Sequence, residues 1–242
     1  MIKALILDCG GVIMYPASGH WLLPADAREI LGGELPDFDR HKIAAALKKC
    51  LPVIDEGQLV TTKQHEYELQ LAFMRAMNAE LDAGLSDAQC AALARSETYE
   101  VDRSLIYDDV LPYLNKWAAE YKLCILSNAM PSIFDVLLEN GIYDKLYSCI
   151  ISTSQGCRKP DSEIFRRCLS EIRLAPDECL FADDLKANLA EAKRMGMKTV
   201  RVKRESYTML QTEEFEWESC VKDMEELDKL LTRLSQCDAP KH

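Results

Sequence analysis

Three apolar runs in this chain break off at polar side chains that could share one chemistry, and a fourth leads into a pair of cations. Asp8 follows the run over 2–7, Ser127 and Asn128 follow 122–126, and Asp183 and Asp184 follow 178–182. Arg158 and Lys159 lie in the loop after 148–152. Taken singly, each has an ordinary role: Asp8 as a turn former, Ser127 and Asp183-Asp184 as helix caps, Lys159 as a solvated loop charge. Gathered in one crevice they imply more. Clustered carboxylates repel one another unless a cation neutralises them. Their oxygens suit a hard ion such as Mg²⁺, which takes one or two protein carboxylates together with water and phosphate oxygens. A lysine beside such a site suits an anionic substrate, and the chemistry implied is metal-assisted phosphoryl transfer.

The elements needed to hold these groups can be read from the same runs. The run over 2–7 is short and rich in β formers, and Gly10-Gly11 follows it. That pattern reads as a strand buried on both faces and ending in a tight turn. Ligands of open α/β sheets bind beyond the carboxyl ends of the strands, which is where Asp8 stands. Residues 13–19 read as a turn-rich passage leaving the strand. From there to residue 99 the signals are helical: a helix over 38–51 with Ile43 and Leu47 on one face, and a capping box Thr61-x-x-Gln64. The helix it opens carries Tyr67, Leu71, Met74, Met77 and Leu81, and Ser86-x-x-Gln89 opens a shorter one. So long a connection is no loop.

Beyond residue 100, helices over 108–121, 132–139, 163–172 and 186–195 alternate with strands over 122–126, 148–152, 178–182 and 197–202, with a loop over 153–160. Alternation of this kind predicts right-handed crossovers and a doubly wound, mostly parallel α/β sheet. A short strand and a closing helix over 224–234 are expected in the tail, and disorder over 239–242. The expected division is a core of residues 1–16 and 100–242 with a helical domain, 17–99, inserted after the first strand.

Composition narrows the partners. The 242 residues carry a net charge of −11, which repels a nucleic-acid backbone or an anionic membrane. No apolar run approaches the ~18 residues of a membrane helix, and no signal-peptide pattern is present. Ten cysteines without a Cys-x-x-Cys pair read as reduced thiols, and the chain as cytoplasmic.

Asp8-x-Gly-Gly-Val, Ser127-Asn128, Lys159-Pro160-Asp161 with Ile164-Phe165, and Asp183-Asp184 with Asn188 and Gly196 resemble the four motifs of the haloacid dehalogenase-like hydrolases, in order and spacing. The resemblance implies a Rossmann-like core with a helical cap domain and a phosphatase of small phosphorylated metabolites, sugar phosphates among them. By it, Asp8 is the nucleophile, Ser127 binds a phosphoryl oxygen with Asn128 adjoining, and Lys159 neutralises charge in flight. Asp183 and Asp184 would hold Mg²⁺ beside Asp8 and the carbonyl of Gly10. Gly11, Tyr15, His20 and Trp21 are the expected substrate-side residues, and Cys9 is assigned to packing.

Gly10 departs from the pattern. Most phosphatases of this family carry a second Asp there as general acid, and losing one costs about 3–5 kcal/mol of barrier. A substrate with a good leaving group, a replacement acid such as His20, or a weakened, ligand-binding protein would each account for it. Dehalogenation would tolerate the glycine, because halide leaves without a proton, but it does not need the acidic pair. Gly10→Asp is expected to restore the acid where geometry allows.

Overall fold

Alternate residues of the first apolar run face opposite ways, and both ways are buried. Leu5 and Leu7 enter one apolar cluster, while Ala4 and Ile6 enter another. The computed structural model describes residues 1–19, 21–35, 38–204 and 214–237. His20 and the tail over 239–242 lie outside them.

The chain runs through β1 (Ala4–Leu7) and β2 (Met14–Pro16), then helices α1 (Ala27–Ile30), α2 (Arg40–Cys50), α3 (Lys63–Leu81) and α4 (Asp87–Tyr99). It returns by β3 (Ser104–Ile106), α5 (Val110–Trp117), β4 (Lys122–Ser127) and α6 (Ile133–Glu139). Then come β5 (Ser148–Ile151), α7 (Ser152–Gln155), α8 (Ser162–Ile172), β6 (Cys179–Asp183) and α9 (Lys186–Arg194). The chain ends with β7 (Lys198–Val202), β8 (Cys220–Val221) and α10 (Met224–Cys237).

Six strands form one sheet in the order β5-β4-β1-β6-β7-β8, with every neighbouring pair parallel. Residues of α5, α6 and α10 cover one face and those of α8 and α9 the other. The sequence steps from β1 outward to β4 and β5, then returns to β6 on the far side of β1. Strand order therefore reverses between β1 and β6, where an open α/β sheet forms its crevice. Leu7 pairs with Ile125 on one side and Ala182 on the other. That register brings Asp8, Ser127 and Asp183 to one rim.

Helices α1 to α4 keep an apolar cluster of their own, built on Cys50, Phe73, Met74, Cys90 and Leu93. The capping box at α4 forms as expected: Gln89 N donates to Ser86 Oγ over 3.2 Å and Ser86 N to Gln89 Oε1 over 2.9 Å. At α3 the cap is Thr62 rather than Thr61, and its hydroxyl accepts from His65 N. The helix buries Glu66, Phe73, Met74 and Leu81.

Two further expectations are corrected. The passage after Ile13 is strand β2, antiparallel to β3, with Met14 opposite Ile106 and Pro16 opposite Ser104. The two chain crossings thus run side by side. Within the expected loop over 153–160, Ser152–Gln155 make a helical turn that ends at Gly156.

Beside the crossings lies a buried polar group. Glu66 accepts from Ser132 N over 2.8 Å and from the Ser132 hydroxyl, which in turn accepts from Arg103 over 2.7 Å. Arg103 also pairs with Glu97 at 3.8 Å. Burial pushes the Glu97 carboxyl up to about 7, against the pull of Arg103.

Candidate active site

Asp8 sits one residue past β1, its backbone N–H bonded to Ala182 O over 3.0 Å. Its carboxylate meets Lys159 Nζ at 2.9 Å, and the same nitrogen donates to Asp183 Oδ2 at 2.7 Å. Lys159 is 2% exposed and Asp183 fully buried, so the pairs are shielded from solvent. Burial alone would pull the lysine's pKa down, but Asp183 and Asp8 more than offset it and keep the ammonium charged.

Asp183 is aimed by its surroundings. Leu185 N donates to Oδ1 over 2.8 Å, and the Asn188 amide reaches both oxygens at 3.1 Å. Asp184 comes in from the other side of the turn. A methyl built on Gly11 would lie 2.7 Å from Asp184 Oδ2, and Gly11 has φ +69. Glycine at 11 thus supplies both the left-handed backbone and the room for that carboxylate.

One oxygen from each of Asp8, Asp183 and Asp184 lies within 4.8 Å of the others. Burial first, and then repulsion by Asp8 and Asp183, pushes Asp184 up to about 8. Burial likewise raises Asp183, with Lys159 opposing. Three converging carboxylates exceed what one lysine neutralises, and hard oxygen donors of this kind fit a divalent cation such as Mg²⁺.

The supports are specific. Ser127 ends β4, is 2% exposed and lies in hydrogen-bond reach of the Cys9 thiol. Cys9 itself packs in the apolar cluster under the sheet, and burial raises its thiol well above the usual range. Asn128 is tied to the Lys159 backbone twice: its amide donates to Lys159 O over 2.9 Å and accepts from Lys159 N over 2.8 Å. Tyr15 stacks on Tyr107 with ring centroids 4.8 Å apart. Arg204, which no motif singled out, donates to Val12 O at 2.9 and 3.1 Å and to Asp109 at 2.8 Å, fixing the turn after Asp8 from behind.

Gly10 brings a correction. A Cβ added there would lie 3.1 Å from Trp21 Cζ2, so the indole lies over the glycine. Trp21 is 39% exposed and closes over the place where an acid side chain would project. Gly10→Asp on its own therefore meets an occupied position.

Glu56 is the residue that sequence reasoning missed. It sits in a turn where Gly57 N donates to Asp55 Oδ1 over 2.7 Å, and Asp55 pairs with Arg158 at 3.3 Å. Burial first, then the charge of Asp8, pushes the Glu56 carboxyl up to about 7, with Arg158 and Lys159 opposing. The triplet Asp55-Glu56-Gly57 marks a turn in the sequence; nothing in it shows that the turn packs against Arg158 and comes within reach of the Asp8 charge.

A family model described as haloacid dehalogenase-like hydrolase matches residues 2–196. The chain belongs to that family. Among relatives of this hydrolase, D-ribitol-5-phosphate phosphatase of Bacteroides thetaiotaomicron is 26% identical over 217 residues, 82% of this chain and 91% of that protein. Glyceraldehyde 3-phosphate phosphatase of Methanopyrus kandleri is 30% identical over 104 residues, 42% of this chain and 45% of that one. The matches with the first three curated relatives span between 6% and 45% of those proteins. Among solved structures, a haloacid dehalogenase family enzyme of Bacteroides thetaiotaomicron, in complex with magnesium and inorganic phosphate, aligns with a TM-score of 0.59. It is 20% identical, over 90% of this chain and 98% of that one. The L-2-haloacid dehalogenase of Xanthobacter autotrophicus gives 0.67 at 19% identity, over 96% and 99%. At such identities the structures speak for the fold.

Proposed function

We propose that this hydrolase is a Mg²⁺-dependent phosphatase of a small phosphorylated metabolite, with sugar and polyol phosphates the leading class. What carries the reading is the set of buried Asp8, Lys159 and Asp183 with half-buried Asp184 at the strand-order reversal. Asp8 is the nucleophile: its carboxylate attacks phosphorus and forms an aspartyl-phosphate, which water then hydrolyses. Lys159 keeps its charge, orients Asp8 and offsets negative charge on the phosphoryl oxygens. Ser127 holds one of those oxygens, and Asn128 fixes Lys159. Asp183, Asp184, Asp8 and the Gly10 carbonyl are the groups that would hold Mg²⁺, which supplies charge neutralisation when bound.

Residues 17–99 act as the cap domain over a core of 1–16 and 100–242, closing the crevice and selecting the substrate. The phosphatase names of the curated relatives support this reading. A dehalogenase of the same fold would be content with Gly10, but it has no use for three clustered carboxylates. With a net charge of −11, nucleic acid and anionic membranes are not partners. Among the described residues no helix is long and apolar enough to cross a membrane. The nine cysteines whose side chains are described are free thiols, in keeping with a cytoplasmic enzyme.

The test is phosphate release from sugar, polyol, nucleoside and acyl phosphates, with Mg²⁺ and with chelator. Wild type should turn over at least one class only with Mg²⁺, and Asp8→Asn should fall to background. Equal rates for the two proteins on every compound would reject the proposal.

A further inference from the structure

A phosphatase that expels an alkoxide needs a proton at the departing oxygen, and the structure denies that role to position 10. There is no side chain at Gly10, and Trp21 fills the space where one would extend. The proton has to come from elsewhere in the crevice.

One carboxyl outside the metal-binding set is positioned for it. The turn carrying Glu56 is held against the core at several points. Asp55 caps the turn through Gly57 N and pairs with Arg158, the neighbour of Lys159. Arg158 lies along Gly57, where an added Cβ would touch its side chain at 3.5 Å. Two residues on, Leu59 covers Gly156, and Val60 N donates to Thr153 O over 2.8 Å. Glu56 at the head of this turn is close enough to Asp8, Arg158 and Lys159 for all three charges to act on it, with Asp55 beside it. Such a carboxyl, half-buried on a turn pinned to Arg158 beside Lys159 and within reach of the Asp8 charge, is placed to carry the proton a general acid must supply.

We propose that Glu56, delivered over Asp8 by the helical segment, is the general acid and base of this enzyme. The assignment rests on the phosphatase reading above and extends it. In the first step a carboxylate oxygen of Asp8 bonds to phosphorus and the bond from phosphorus to the ester oxygen breaks. The Glu56 O–H gives its proton to that oxygen, so alcohol leaves and Glu56 becomes a carboxylate. In the second, Glu56 takes a proton from a water molecule whose oxygen bonds to phosphorus. The bond from phosphorus to Asp8 breaks, releasing phosphate and restoring the Asp8 carboxylate and the Glu56 acid. Because Glu56 belongs to the helical segment, the acid is in place only when that segment sits against the core. Closure and proton supply thus become one event.

Glu56→Gln keeps the shape and removes the proton. With Mg²⁺ present, kcat/KM of the variant on an alkyl phosphate should fall by about 10²–10⁴-fold. On p-nitrophenyl phosphate, whose leaving group departs unaided, the variant should release about one equivalent of nitrophenolate and then stall. Intact-mass measurement should find the phosphate still on the protein, and adding Asp8→Asn should remove both burst and adduct. A purely structural role for Glu56 would lower both esters alike with no burst; that result, or full activity on the alkyl ester, overturns the assignment. Wild type that cleaves neither ester, or Asp8→Asn that cleaves both at the wild-type rate, overturns the phosphatase reading itself and takes Glu56 with it.

Discussion

Position 10 shows how much one missing side chain can explain. In the sequence it reads as a loss, a phosphatase pattern without its acid. In the structure it is one half of a packing pair, because the Trp21 indole lies 3.1 Å from where a Cβ would begin. Extending that Cβ into a carboxylate crowds the contact, and the indole has to give way by a few tenths of an ångström or more to admit it. We therefore expect Gly10→Asp to melt below wild type and to gain no activity on alkyl phosphates. Trp21→Ala added to it should recover most of the lost stability. A single variant as stable as wild type would show that the indole yields freely. Asp8, Lys159 and Asp183 were legible beforehand because each follows an apolar run, and strand ends in an α/β sheet converge. Glu56 was not, because it ends no strand, and Trp21 was expected on the substrate side but not against Gly10; the folding of the helical segment brings both to their places.

At the scale of elements the same division holds. Strands β1, β4 and β6 are apolar enough to announce themselves, and both of their faces are buried. By contrast β2 and β3 are three residues each, too short to leave a period, and they exist because the outgoing and returning chains pair. At α3 either threonine could cap, and it is the Thr62 hydroxyl that accepts from His65 N. The crossing region they frame has a measurable pH signature. Burial holds Glu97 up to about 7 in the folded protein, against about 4.3 for an unfolded chain. The folded state therefore retains a proton that the unfolded state has lost. Stability falls as pH rises between roughly 4 and 7, and stays low above that. Glu97→Gln removes the penalty while keeping the shape. The variant should match wild type near pH 4 and melt above it at pH 8, by on the order of 3–4 kcal/mol at most, since one pKa unit is worth about 1.4 kcal/mol. A variant that melts lower at pH 8 would mean that the Arg103 pair outweighs burial.

The whole molecule poses an electrostatic problem that its site has to solve. A chain with a net charge of −11 repels a phosphorylated substrate at long range, and the crevice adds three carboxylates against one lysine. Without a cation the folded protein relieves the crowding by keeping protons: Asp184 is held up to about 8, far above the ~3.9 of an unfolded aspartate. Folding then binds a proton that is lost as pH rises toward 8, so the metal-free protein should lose stability over that range. A divalent ion takes the proton's place, and it binds more tightly as the protons leave. At a free concentration about 100 times its Kd, Mg²⁺ should add about 2.7 kcal/mol, or roughly 5–10 °C in Tm for a chain of this size. The rise should be larger at pH 8 than at pH 6, and absent in Asp183→Asn, whose loss also leaves Lys159 with Asp8 as its remaining carboxylate partner. Thermal melts in Mg²⁺ and in chelator at the two pH values decide it. Equal Tm with and without the ion at pH 8 would leave the three carboxylates without the cation that their burial calls for. The phosphoryl-transfer chemistry proposed for the crevice would fall with it.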